Sequence, residues 1–295
     1  MNTISYRYQE TLQQLRECYD THAEKFSSTR KKHRPEFERI IKKIQNNEWW
    51  VPHDKHQIAK SPHHQHTILE LWCGDGRLYP YLIEQWITID RYTGIDISEQ
   101  LLLKAQEHSP STKKIQRILD DMLHYLEWCP SESVDTVICV ASFQHIPDST
   151  TRDLILRQIY RVLRYGWTMI SIDWSRSRWM IRTHRRLILK SWRRFLQSGM
   201  QEERNNLMIP FTSSEVAKQQ SGKVAKQKET NSPTHQLTNY RLYHIFTRQE
   251  LDLLLRTHGF VIEEMIYSSQ SGDFHHQRTQ ARNICTIVRK DVFVN

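Results

Sequence analysis

Apolar positions recur at three- and four-residue spacing near the start of the chain, then switch to short unbroken runs. The helical spacing predicts helices over Tyr6–Asp20 and Pro35–Ile44, and Pro35 suits a first helical turn. From Thr67 the pattern alternates. Strands are expected at Thr67–Trp72, Tyr92–Ile97, Ile115–Leu119, Val134–Val140 and Trp167–Asp173. Between them fall a helix over Leu78–Trp86, a helix capped by Ser98 that runs to Glu107, and a helix capped by Ser149 that runs to Leu163. Fully apolar strands separated by helices imply a parallel α/β sheet covered on both faces. The alternation breaks after residue 174 and resumes at Tyr240. There a helix Arg248–His258, ended by Gly259, precedes two closing strands, Phe260–Tyr267 and Asn283–Val288.

The interruption changes the picture through its charge. The chain has 42 Lys and Arg against 33 Asp and Glu, a net +9. Arg176–Arg194 alone holds seven Arg, one Lys and no acid, so this one stretch carries +8. A local cationic stripe attracts polyanions or anionic surfaces. Thr212–Thr238 is rich in Ser, Lys, Gln and Thr and reads as flexible. Residues 52–66 hold five histidines without an acid or cysteine at fixed spacing. They read as a solvated connector, metal binding being the other reading, and no metal is expected. Five scattered cysteines without a CxxC pair fit a reducing compartment, so the expected location is cytoplasmic. No run of eighteen apolar residues predicts a membrane span, and Met1–Glu10 lacks the apolar region of a secretory signal.

The candidate chemistry begins at Ile68-Leu69-Glu70-Leu71-Trp72-Cys73-Gly74-Asp75-Gly76-Arg77-Leu78, a strand that ends in a glycine-containing turn. Such a turn lets backbone approach a ligand at the carboxyl edge of a sheet. Gly94-Ile95-Asp96-Ile97-Ser98 follows, and an acid ending the second strand can bind ribose hydroxyls. These two elements also suit a dinucleotide enzyme. Asp120-Asp121-Met122 and the strand Val134–Val140 complete a succession that resembles the class I S-adenosylmethionine (SAM)-dependent methyltransferases over residues 67–173. The resemblance implies a Rossmann-like seven-stranded sheet with its last strand antiparallel, SAM as cofactor, and a cofactor site of Glu70, Trp72, Cys73, Gly74, Gly76, Asp96, Ile97, Asp121, Met122 and Val140. Residues 1–66 would form a helical cap and His-rich connector, and 67–174 the core. A basic, partly disordered insertion would occupy 175–239, and 240–295 would close the same domain.

A finer likeness covers more of the chain. The segments Tyr19–Arg30, Ala141–Ile146, Met208–Phe211 and Tyr240–Phe246, in that order around a basic linker, resemble the tRNA wobble carboxymethyluridine methyltransferases, relatives of the methyltransferase domain fused to an AlkB-like hydroxylase. That likeness implies esterification of a 5-carboxymethyl group on the wobble uridine, tRNA as partner, and a small activator subunit. Arg30 is the candidate for holding the carboxylate as a planar bidentate donor, with Tyr19 and His145 shaping the site. Arg185, Arg186, Arg193, Arg194, Arg241 and His244 are the candidate substrate contacts. Arg30 also reads as a surface charge in a basic run, and the Arg176–Phe195 stretch as an amphipathic helix that packs or lies on a membrane. Two other functions stay open: a small-molecule methyltransferase of the quinone type, and an inactive methyltransferase fold that binds RNA.

The sequence departs from these patterns. Gln144 stands where the finer family usually has the first of two histidines, and Ile284 and Cys285 follow Asn283 where it usually has Trp. Trp72 stands where the first loop glycine belongs, and Tyr165-Gly166-Trp167 where Pro-Gly-Gly is usual. The chain has only eight Gly, about 3% against a usual ~7%, and nine Trp. UGA means Trp in some genetic codes and Gly in a few bacterial lineages. Some of these Trp, Trp72 and Trp167 first, are therefore expected to be Gly in the native protein. The competing reading is divergence with loss of activity.

Overall fold

A computed structural model describes residues 5–30, 34–45, 66–109, 112–198, 203–211, 240–269, 273–276 and 280–291. The apolar runs do pair in parallel. Strands β1 (Thr67–Leu71), β2 (Arg91–Asp96), β3 (Ile115–Leu119), β4 (Val134–Val140) and β5 (Leu163–Trp174) join β10 (Asn283–Lys290), β8 (Phe260–Ser268) and the two-residue β9 (Phe274–His275) in the order β3-β2-β1-β4-β5-β10-β8-β9. The first five are parallel to one another, and β10 lies antiparallel between β5 and β8. Seven of the eight strands are the expected ones; β9 adds a short edge rung to β8. The strand order reverses at β1, so β1 and β4 part at their carboxyl ends and leave a crevice there.

The helices cover both faces. α3 (Leu78–Glu84), α4 (Glu99–His108), α5 (Met122–Trp128), α6 (Ser149–Val162) and α9 (Arg248–Thr257) accompany the sheet. Ser98 caps α4 by accepting from Leu101 N, as expected. The cap of α6 is Asp148, one residue before the expected Ser149. A carboxylate there accepts from Thr151 N and also faces the positive end of the helix. α5 was not predicted. It is only seven residues, capped by Asp121, and buries Met122, Leu123 and Leu126.

The N-terminal cap is one helix of 23 residues, α1 (Tyr6–Ser28), followed by α2 (Glu36–Gln45). α1 lies over the carboxyl edge, burying Tyr8, Leu12 and Leu15 in the core with β1, β2 and β4. α2 packs Phe37, Ile40, Ile41 and Ile44 with Leu78, Leu82 and Ile266 on the other face. After β5 the chain forms α7 (Arg178–Thr183), α8 (Arg185–Gln197) and the antiparallel hairpin β6 (Asn206–Pro210) and β7 (Tyr240–His244). The hairpin buries Leu207, Ile209, Tyr243 and Ile245 with Met180 as a separate small core. The histidines 53, 56, 63 and 64 and the segment Thr212–Thr238 lie outside the described residues.

Candidate active site

The crevice at the carboxyl edge is a cavity of about 780 Å³. The sheet supplies Trp72, Gly74, Asp96, Ile97 and Val140; α1 supplies Tyr19, Phe26 and Arg30; the β6–β7 hairpin supplies Phe211, Arg241 and Tyr243. Arg34, Gln144, His145, Trp174, Trp179 and Arg282 complete much of the wall. The expected cofactor edge, Arg30, Tyr19, His145 and Arg241 therefore meet in one place.

Asp96 is the best-fixed group. Its Oδ2 accepts from Gly74 N at 2.7 Å and its Oδ1 from Ser98 N at 2.9 Å. Burial raises its pKa to about 6, against the two backbone bonds that lower it. Above that pH it presents a buried carboxylate with lone pairs still free, which suits vicinal hydroxyls of a ribose. Gly76 serves packing instead: a Cβ there would stand 2.6 Å from Ala105 Cβ of α4.

Tyr19, His145 and Arg241 form a linked wall. His145 Nδ1 lies 2.5 Å from the carbonyl oxygen of Leu242, which can only accept, so Nδ1 carries the proton. Burial lowers the imidazole pKa to about 3, so Nε2 is a free acceptor and takes the Tyr19 hydroxyl at 3.2 Å. His145 thus orients Tyr19 and carries no charge at neutral pH. The Arg241 guanidinium sits among three rings, 4.8 Å from Phe211, 5.2 Å from Tyr243 and 5.8 Å from Tyr19. Its Nε is buried without a hydrogen-bond partner. Arg30 stacks on Phe26 at 3.6 Å and donates Nη1 to the Phe26 carbonyl at 3.0 Å. Burial lowers its pKa to about 10, which leaves it charged at pH 7.

Several expected site residues lie elsewhere. Glu70 is buried beneath the turn, bonded to the Tyr92 hydroxyl, and burial raises its pKa to about 8. Asp121 accepts from the Tyr8 hydroxyl and caps α5, and Met122 is core. Cys73 and Gly76 are also outside the cavity wall. His244 is buried between Asn206 (2.8 Å) and Glu250 (2.6 Å), tying the hairpin to α9, so it is a structural link and does not reach the cavity. Arg185, Arg186 and Arg193 are exposed on α8 and Arg194 is half-buried; none lines the cavity, although His184 just before them does. Arg34, Arg282 and Tyr243 were not foreseen. Arg34 had a signal, the basic run after Arg30, whereas a lone Arg before a strand has none.

Among the described residues the lining cations are Lys25, Arg30, Arg34, Arg241 and Arg282, against one carboxylate, Asp96. Five against one is a site built for an anion.

Residues 68–166 match the model of the family described as methyltransferase domain. A structure from Methanosarcina mazei described as a SAM-dependent methyltransferase aligns at TM-score 0.55 and 18% identity, covering 78% of this chain and 94% of the other. The chain has the class I SAM-dependent methyltransferase fold. Burkholderia thailandensis 1,6-didemethyltoxoflavin-N1-methyltransferase, solved with bound 1,6-didemethyltoxoflavin and S-adenosylhomocysteine, shares this methyltransferase fold at TM-score 0.55 and 12% identity over 99% and 93% of the two chains. A putative methyltransferase in complex with the Haloferax volcanii Trm112 methyltransferase activator shares it at 0.54 and 13% over 95% and 98%. In sequence, trans-aconitate 2-methyltransferase of Streptomyces avermitilis is 27% identical over 96 residues, 32% of this chain and about a third (35%) of its own length. Among the described residues no helix is long and apolar enough to cross a membrane.

The residues fit SAM at one end of the cleft. Asp96 and Gly74 suit the ribose side. At the other end the methyltransferase fold calls for an open glycine turn, and here the Trp72 indole lines the cavity with its Nε1 buried and unpartnered.

Proposed function

We propose that the chain is a SAM-dependent methyltransferase that esterifies a carboxylate, and that the carboxylate is the 5-carboxymethyl group of a tRNA wobble uridine. The observation that carries this is the excess of cations over carboxylates among the described lining residues, with Arg30 and the caged Arg241 lining the same cavity as Asp96. SAM bound there supplies an electrophilic methyl group on a sulfonium.

What the chain must do is modest. A carboxylate is ionised at neutral pH and needs no general base, which agrees with a His145 that stays neutral. It needs orientation: one oxygen must lie in line with the methyl–sulfur bond. Arg30 keeps Nε and Nη2 available for a bidentate contact while Phe26 fixes its plane. Arg241, on the hairpin wall of the same cavity, adds positive charge there. α1 and the hairpin form two walls of the site. The exposed Arg face of α8, reached through His184 on the cavity rim, would track the phosphates of the anticodon stem. An activator subunit remains part of this reading, prompted by the activator-bound neighbour.

A second reading rests on the trans-aconitate relative: a small polycarboxylate fits the same cations and the same chemistry. Tritiated SAM offered with bulk tRNA or with trans-aconitate separates the two. Label in tRNA supports the first, and label in the small acid alone supports the second and refutes the first.

A further inference from the structure

The turn after β1 is left-handed at alternate residues: Trp72 (φ 57°), Gly74 (59°) and Gly76 (66°). Two of the three are the residue that this backbone favours, and the first is among the bulkiest side chains. A large side chain in this region is an outlier, because its Cβ crowds the following carbonyl.

A second tryptophan repeats the anomaly far from the cavity. Helix α3 ends with Ile87 N donating to Leu82 O at 3.1 Å and Trp86 N donating to Ile83 O at 3.0 Å. These are the paired bonds of a left-handed helix terminus, whose central position is usually glycine. Trp86 occupies that position at φ 60° and is 93% exposed, so no packing offsets the strain. α9 ends on the equivalent bond, Gly259 N to Arg256 O at 3.0 Å, with glycine at φ 82°. Among the described residues only four non-glycines have positive φ, and two of them are tryptophans, in a chain with nine Trp and eight Gly. Chance placement of tryptophan does not select the two slots where glycine belongs.

We infer that residues 72 and 86 are glycine in the protein as its own cell makes it, each encoded by a TGA codon read as glycine. The backbone at Trp167 is not left-handed, and Gly166 (φ 79°) takes that turn, so the structural argument stops at 72 and 86. Glycine at 72 removes the indole from the cavity wall beside Gly74 and His145 and completes the cofactor seat. This last consequence rests on the methyltransferase reading; the assignment of glycine, argued from backbone and helix end, does not.

The test has two arms. Peptide mass spectrometry of the chain purified from its own organism, together with the codons, is expected to show glycine at 72 and 86 and TGA at both. Tryptophan in those peptides, or TGG codons, overturns the inference. In the second arm, W86G and W72G are made recombinantly and compared with the tryptophan chain. W86G should raise Tm by roughly 2–4 °C by relieving a left-handed residue. W72G deletes a buried side chain as well as the strain, so its readout is SAM affinity, which should rise roughly tenfold or more since the change clears space for the ligand. A higher Tm in W86G without SAM binding by W72G would leave the glycine assignment standing and sink the methyltransferase reading. A lower Tm in W86G would overturn the glycine assignment.

Discussion

Replacing Arg30 by alanine should reduce methyl transfer far more than it reduces binding of either SAM or tRNA. In the structure this guanidinium is held at one edge only, by Nη1 to the Phe26 carbonyl at 3.0 Å and by stacking on the Phe26 ring at 3.6 Å. No carboxylate pairs with it among the described residues; its charged neighbours Arg34 and Arg77 repel it. A charge-assisted contact to the substrate carboxylate is worth about 1.5–3 kcal/mol. The loss of kcat/KM is then about 10- to 150-fold, at 1.36 kcal/mol per factor of ten. Stability should change by under about 1 kcal/mol, because the lost cation–π contact is offset by relief of the repulsion. R30K should restore charge but little rate, since an ammonium cannot hold both oxygens in one plane. The assay is steady-state transfer from tritiated SAM, with tRNA binding followed in parallel by fluorescence anisotropy. Equal losses in binding and turnover would make Arg30 one more phosphate contact and refute the reasoning.

Asp96→Ala should weaken SAM binding by about 10- to 150-fold in calorimetry, the equivalent of about 1.5–3 kcal/mol for a buried charged acceptor; unchanged affinity in a folded variant would misplace the ribose site. SAM affinity of the unmodified chain should also fall as pH drops through about 6, where the Asp96 carboxylate protonates. Replacing Arg185, Arg186, Arg193 and Arg194 together by Ser should flatten the salt dependence of tRNA binding and leave SAM affinity intact; an unchanged slope would return α8 to the packing or membrane reading. His145 stays neutral when folded, its pKa lowered to about 3 by burial, and takes up a proton when unfolded near 6.5. The unfolded state binds more protons in that window, so stability falls as pH drops below 6.5, by roughly 2 kcal/mol at pH 5 for this group. In H145Q that part of the decline between pH 7 and pH 5 should be absent in denaturant titrations, and an identical decline would show that the imidazole is not desolvated.

The central sheet was legible because parallel strands covered on both faces become unbroken apolar runs, as in Ile68–Leu71 and Val134–Val140. Asp96 was legible because a strand ending in an acid is a local signal. The β6–β7 hairpin was not: its partners are separated by residues 211–239, and neither Asn206–Pro210 nor Tyr240–His244 alternates cleanly. α5 escaped because seven residues carry barely two turns of periodicity. The candidates that do not line the cavity share one feature. Asp121, Glu70 and His244 are polar residues placed by sequence at the right strand or motif, but each is satisfied by a partner on another element, Tyr8, Tyr92 and Glu250 with Asn206, which no local pattern reveals. The grouping of Arg30, Arg34, Arg241 and Arg282 is likewise tertiary, formed from segments more than two hundred residues apart.

The central claim is that this cleft methylates a carboxylate, and the bond formed identifies it. Tritiated methyl groups transferred from SAM to tRNA should leave as volatile methanol under mild alkali, because a methyl ester hydrolyses there whereas N-methyl, C-methyl and ether-linked O-methyl groups do not. Label that is transferred and then survives alkali would contradict the account.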